Sequence, residues 1–208
     1  MTRRGWIAAA FAVGIVTFAG VGVRAETRLI GSGASFPFPL YSTWFQTYSQ
    51  ATDGVRIDYQ AKGSGAGIQD LINGVTDFGA SDAAMSDAEI AQLEDARGTG
   101  VVMLPMTAGE IVLAYNVPGV DELRLPRDVY PAIFRGEITN WNDPAIVAAN
   151  PDAELPDMPI TVVARSDSSG TTFVFTKHLS AIDETFATEV GEGKTVPWPS
   201  LATFIKAP

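Results

Sequence analysis

Ile160-Thr161-Val162-Val163-Ala164-Arg165-Ser166-Asp167-Ser168-Ser169-Gly170-Thr171-Thr172 joins a β-branched apolar run to a turn of small polar residues, and apolar residues at helical spacing follow over 173–179. The pattern is strand, tight turn, helix. A helix start carries unpaired backbone N–H groups and the positive end of the helix dipole, and here hydroxyls and a small Gly crowd onto it. Such a start is suited to an anion. Arg165 adds a planar fork of donors for carboxylate, phosphate or sulfate, and Asp167 two residues on is spaced to hold that fork. The same residues also describe an ordinary Ser-capped helix beside a surface Arg–Asp pair.

The pattern recurs upstream. A short strand over 27–31 runs into Gly31-Ser32-Gly33-Ala34-Ser35-Phe36-Pro37-Phe38-Pro39, and Pro39 opens a helix with Leu40, Trp44, Phe45 and Tyr48 at helical spacing. An alternating strand over 55–60 runs into Ala61-Lys62-Gly63-Ser64-Gly65-Ala66-Gly67, after which Ile68, Leu71 and Ile72 mark a second helix. Lys62 precedes its glycines, whereas a nucleotide P-loop needs Lys after them at the helix start, so that motif is rejected. Asp77-Phe78-Gly79-Ala80-Ser81-Asp82 is a third strand entering a turn. Ser86-Asp87-Ala88-Glu89 is a capping box for a helix reaching about Ala96. Further strands are expected over 101–107 and 110–115, a helix over 126–136, and a short helix after Trp141-Asn142-Asp143-Pro144. Alternating strands and helices indicate an α/β fold with a mostly parallel sheet, whose ligands lie beyond the carboxyl ends of the strands.

Residues 1–25 are set apart. Arg3 and Arg4 precede an apolar run over 7–23 without acidic residues, and Val23-Arg24-Ala25 is an acceptable cleavage site, so a cleavable signal peptide is expected rather than a membrane anchor. Export to a bacterial periplasm follows, with no membrane insertion after cleavage. The chain has no Cys, hence neither disulfides nor a lipid-anchoring thiol. Without Arg3, Arg4 and Arg24 the 14 basic residues fall to 11 against 24 acidic ones, a net charge of −13. That excludes nucleic acid and anionic lipid as partners, and it requires any anion site to work through short-range donors in a low-dielectric cleft.

Several chemistries are missing. His178 is the single His, and with no Cys there is no metal cluster; no cofactor is expected. A Ser-His-Asp hydrolase would need His178 as base and Ser35, Ser64 or Ser169 as nucleophile, none of them in a Gly-x-Ser-x-Gly elbow. The chain is therefore read as a binding protein, not an enzyme.

From 29 to 199 the chain resembles the periplasmic phosphate-binding proteins of bacterial high-affinity phosphate ABC transporters. The matching stretches are Gly31-Ser32-Gly33-Ala34-Ser35-Phe36-Pro37, Gly63-Ser64-Gly65-Ala66-Gly67, Thr76-Asp77-Phe78-Gly79-Ala80-Ser81-Asp82, Ile138-Thr139-Asn140-Trp141-Asn142-Asp143-Pro144 and Arg165 to Phe173. The resemblance implies a two-lobed α/β fold of periplasmic-binding-protein type, class II, with residues 26–104 as the N-terminal part of one lobe and 105–208 as an incomplete second. It implies a phosphate site made of the Ser35 hydroxyl, the Phe36 N–H, Ser64, the Arg165 fork, and hydroxyl and N–H groups of Ser169, Gly170 and Thr171. Asp82 would accept a proton carried by the anion, which phosphate has near neutral pH and sulfate lacks, and Asp167 would orient Arg165. It also implies inner-membrane ABC permease subunits as partners. After Trp198-Pro199 the chain departs from the family pattern, so the C-terminal part is expected to be missing. Three alternatives stand beside this reading: a binder of another oxyanion such as molybdate or sulfate, a phosphate-ester hydrolase, and a non-functional truncated remnant.

Overall fold

The computed structural model describes residues 26–199 and the backbone of 203–205; the signal peptide expected over 1–25 lies outside the described residues. The first half of the chain is a βαβαβ unit. Strand β1 (Thr27–Gly33) leads to helix α1 (Phe38–Ala51), strand β2 (Val55–Ala61), helix α2 (Ser64–Ile72), strand β3 (Phe78–Ala80) and helix α3 (Asp87–Arg97). The three strands are parallel in the order β2-β1-β3, with Gly33 opposite Ala61 on one side and Ala80 on the other. Parallel pairing requires crossovers, which α1 and α2 supply. Because all three strands run parallel and end in register, the turns after them open along one edge of the sheet.

Local chemistry sets the helix ends. Pro39 stands in the first turn of α1, where its missing N–H costs no helical bond. The Ser86 hydroxyl accepts from the Glu89 N–H at 3.3 Å and the Glu89 carboxylate accepts from the Ser86 N–H at 2.8 Å, and Gly98 at φ 65° closes α3. Ser86→Ala should cost about 1 kcal/mol. Urea unfolding reads this as a lower midpoint at unchanged slope; an unchanged midpoint would show that tertiary contacts, not the cap, hold the start of α3.

The second half holds helices α4 (Tyr130–Phe134) and α5 (Pro144–Ala149), strand β4 (Val163–Arg165), helices α6 (Gly170–Ile182) and α7 (Glu184–Glu189), and strand β5 (Thr203–Ile205), which pairs parallel with β4. Each half has its own apolar cluster, Ile68, Ile72 and Leu93 in the first, Val129, Ala132, Ile133, Ile138 and Ile146 in the second. Arg135, only 10% exposed, donates from Nη1 to Asp183 at 2.6 Å and pairs through Nη2 with Glu137, tying α4 to the cap of α7. Burial works to raise the Asp183 carboxyl, but the Phe186 N–H and Arg135 outweigh it and hold the group below its usual range.

Two expectations need correction. Residues 101–116 form neither of the strands expected there; Val102, Leu104 and Val112 are 81%, 70% and 72% exposed. Their β-type composition is real, but a strand exists only where a neighbour completes its ladder, and among the described residues none pairs with this stretch. The helix expected over 126–136 shortens to Tyr130–Phe134, with a turn before it.

Candidate functional site

Three elements far apart in the chain meet at one point. Ser64, the first residue of α2 and 1% exposed, lies against Asp82, two residues past β3; its hydroxyl donates to Asp82 Oδ1 at 3.2 Å. Thr171, on the first turn of α6, donates from Oγ1 to Asp82 Oδ2 at 2.7 Å. Gly170 is wedged between them: a Cβ there would lie 2.4 Å from Ser64 Oγ and 2.8 Å from Asp82 Cβ. The Gly65 N–H donates to the Ser168 carbonyl at 3.0 Å, a backbone bond between the two helix starts.

Arg165 ends β4 and grips Asp167 through one edge of its guanidinium, Nε to Oδ1 at 2.6 Å and Nη2 to Oδ2. The pair is largely sheltered, with side chains 21% and 13% exposed. It abuts the Ser64 turn, since a Cβ on Gly63 would lie 2.4 Å from Asp167 Oδ2. Ser169 is the N-cap of α6: its hydroxyl oxygen accepts from the Thr172 N–H at 3.2 Å, and its own N–H donates to the Lys194 carbonyl at 2.9 Å. What Ser169 retains for a ligand is its hydroxyl hydrogen.

Ser35 and Phe36 stand on the turn after β1, which the Ala34 N–H fastens to the Ala80 carbonyl at 2.8 Å, two residues before Asp82. Among the described residues no hydrogen bond joins them to the Asp82 group. A cleft of about 970 Å³ runs beside them, bordered by Phe36, Asp82, Thr171 and Val174 and flanked by residues 101–111. The Tyr59 hydroxyl donates to the Ala34 carbonyl at 2.7 Å. Burial, with the charges of Tyr41 and Asp82, pushes its proton affinity far up, so it stays a neutral donor.

Lys62 is used elsewhere. It joins the fully buried Ser32 in bonding Asp70, at 3.0 and 2.7 Å, and the Ser32 hydroxyl first and Lys62 second draw the Asp70 carboxyl down despite partial burial. His178 stacks on Tyr130, with Nε2 2.7 Å from its hydroxyl oxygen. Ser169 caps the same helix nine residues earlier, about 13 Å along its axis at 1.5 Å per residue, and Ser64 is bonded to Asp82. Among the described residues the His178 ring is bonded to Tyr130 and no hydrogen bond joins it to Ser35, Ser64 or Ser169, so no triad is assembled. Among the described residues no group of acidic or His side chains could hold a metal ion.

The chain matches the PBP superfamily domain over residues 22–204 and belongs to that superfamily. It is 41% identical over 202 residues to the phosphate-binding protein PstS of Pasteurella multocida, covering 96% of this chain and 55% of that protein. It is 40% identical over 186 residues to PstS of Haemophilus influenzae, covering 88% and 54%. The chain thus spans about half the length of these relatives. Among solved structures, an ABC-type phosphate transport receptor from Vibrio cholerae superposes with a TM-score of 0.50 at 20% identity, over 87% of this chain and 63% of that one, which supports the α/β binding-protein fold.

Sequence reasoning did not single out Lys194 or Glu89 as neighbours of the site. Glu89 is legible only as a capping residue, and Lys194 sits in a Gly-rich loop without a motif, 105 residues away from it.

Proposed function

We propose that this chain carries the phosphate-holding surface of a periplasmic solute-binding protein that hands inorganic phosphate to the permease subunits of an inner-membrane ABC transporter, without catalysing a reaction. Residues 1–25 serve as the signal peptide, 26–104 belong to one lobe and 105–208 to the other. The observation that carries the reading is a carboxylate, Asp82, set at the N-terminus of α6 among hydroxyl donors from both halves. A helix start favours an anion, and a carboxylate beside it tolerates one only if the anion brings a proton to share. Monohydrogen phosphate does so; sulfate does not. The relatives' names support the same assignment.

In this reading the Asp82 carboxylate accepts a hydrogen bond from the phosphate O–H. Ser64 and Thr171 rotate their hydroxyl hydrogens from Asp82 to phosphate oxygens, Ser35, Ser169, Gly170 and the Phe36 N–H donate to the others, and Arg165, steadied by Asp167, supplies the positive charge. No helix among the described residues is long and apolar enough to cross a membrane. Calorimetric titration with phosphate and with sulfate is the test. Phosphate should bind at least a hundredfold more tightly, because a carboxylate left facing an unprotonated oxyanion costs about 3 kcal/mol or more. Asp82→Asn should shrink that ratio by admitting sulfate. Equal affinities for the two anions, or no phosphate binding, would overturn the proposal.

A further inference from the structure

The loop after α7 makes two contacts through one residue. The Lys194 carbonyl accepts the N–H of Ser169, the cap of α6, at 2.9 Å. The Lys194 ammonium reaches across to the other half and donates to Glu89 Oε1 at 2.6 Å. Glu89 is anchored in turn, its Oε2 accepting from the N–H and the hydroxyl of Ser86 at 2.8 and 3.0 Å. The two side chains are only 17% and 21% exposed, so this pair is shielded from solvent in a way that ordinary surface ion pairs are not. Further along the same loop, Trp198 packs on Phe134 and Phe186, which fixes it to the second half.

We propose that Lys194 is a positioning residue, a latch that fastens the start of α6 to the first half of the molecule through Glu89. Resting on the phosphate reading above, the latch keeps Ser169, Gly170 and Thr171 opposed to Ser64 and Asp82 and so slows escape of the anion. The lysine touches no site residue with its side chain; it acts through its backbone on the α6 cap and through its charge on α3. The Gly65–Ser168 backbone bond brings the halves together at the site, and the ion pair adds a second point of attachment away from it. With the Thr171–Asp82 bond also at the site, the ion pair makes a second, separate region of attachment, and two separated regions resist rotation of one half on the other better than one does.

The absence of Cys from the sequence allows a clean test. Cysteines replacing the exposed Gln92 on α3 and Ala187 on α7 are spin-labelled, and the distance between them is measured in the full chain with and without inorganic phosphate. In the parent a narrow distribution is expected; Lys194→Met should broaden or lengthen it, and the reversed pair Glu89→Lys with Lys194→Glu should restore it. Phosphate dissociation, followed by stopped flow, should be about tenfold faster in Lys194→Met, with association changed less than twofold, and return toward the parent rate in the reversed pair. A distance distribution indifferent to Lys194→Met overturns the latch. So does a reversed pair that behaves no better than Lys194→Met alone, since the lysine would then act by packing or by its fit to the Ser86 cap. If the parent binds no phosphate, the functional reading fails, and the distance measurement still decides whether the latch exists.

Discussion

Gly170→Ala should weaken phosphate binding more than a hundredfold while leaving a cooperatively folded protein. The added methyl carbon would lie 2.4 Å from Ser64 Oγ and 2.8 Å from Asp82 Cβ, and a third clash, with Asp82 Cγ, also stands at 2.8 Å. All three atoms belong to short side chains, within two bonds of the backbone and hydrogen-bonded to each other, so they cannot swing aside as the end of a long side chain could. The start of α6 must therefore move away from α2 by about 1 Å, to reach ordinary contact distance. Such overpacking costs about 1–3 kcal/mol of stability. The larger effect falls on binding, because the Thr171 hydroxyl and the N–H groups at the α6 start retreat together from the proposed anion position. Losing two hydrogen bonds to a charged ligand, each worth about 1.5–3 kcal/mol, corresponds to a drop of more than a hundredfold in affinity. Gly100→Ala is the matched control, since its added carbon would meet nothing closer than 3.6 Å. A Gly170→Ala protein that binds phosphate as tightly as the control would show that the anion does not lie between α2 and α6.

The repeated strand, Gly/Ser turn and helix was readable because each unit is local: β-branched runs, cap residues and helical spacing lie within about fifteen residues of one another. The capping box at Ser86 and the place of Pro39 in the first turn of α1 follow from chemistry that spans four residues or fewer. Where packing competes with propensity, the reading slips. Ser64 to Gly67 looks like loop because of its glycines, yet it is the first turn of α2; a Cβ on Gly67 would lie 2.4 Å from Gly33 Cα, so the glycine is there to let the helix lie on β1. The β-type stretch 101–116 fails for the opposite reason, since a strand needs a partner that no local pattern specifies. For the site, hydroxyls and Arg165 at a helix start are visible in sequence, and Asp167 is close enough to be paired with Arg165 by spacing. The meeting of Asp82 with Thr171 spans 89 residues, and nothing in composition or periodicity announces it. Only the resemblance to a family suggested that these residues share a ligand.

Replacing Arg165 by Ala should lower phosphate affinity about a thousandfold, and the comparison with Asp167 separates charge from folding. Residues 26–208 carry a net charge of −13, 11 basic against 24 acidic residues, so the field at long range repels the anion and attraction must come from groups in contact with it. Of the proposed donors, Arg165 alone bears a full positive charge. Its Nε and Nη2 are engaged by Asp167, and that grip aims the remaining arm of a rigid fork without requiring the ligand to freeze a flexible side chain. Arg165→Ala removes the charge and also leaves Asp167, 13% exposed, without its guanidinium partner. Both changes act against an anion, so the loss should exceed that of a single neutral donor such as Ser64→Ala, for which about tenfold is expected. Arg165→Lys keeps the charge but not the fork, and should fall between the two. The double variant Arg165→Ala with Asp167→Ala removes the sheltered carboxylate together with its guanidinium: stability should recover toward the parent in urea unfolding, while phosphate binding remains weak. If binding recovers along with stability, Arg165 serves only to neutralise Asp167, and the positive charge of the site must come from the helix start alone.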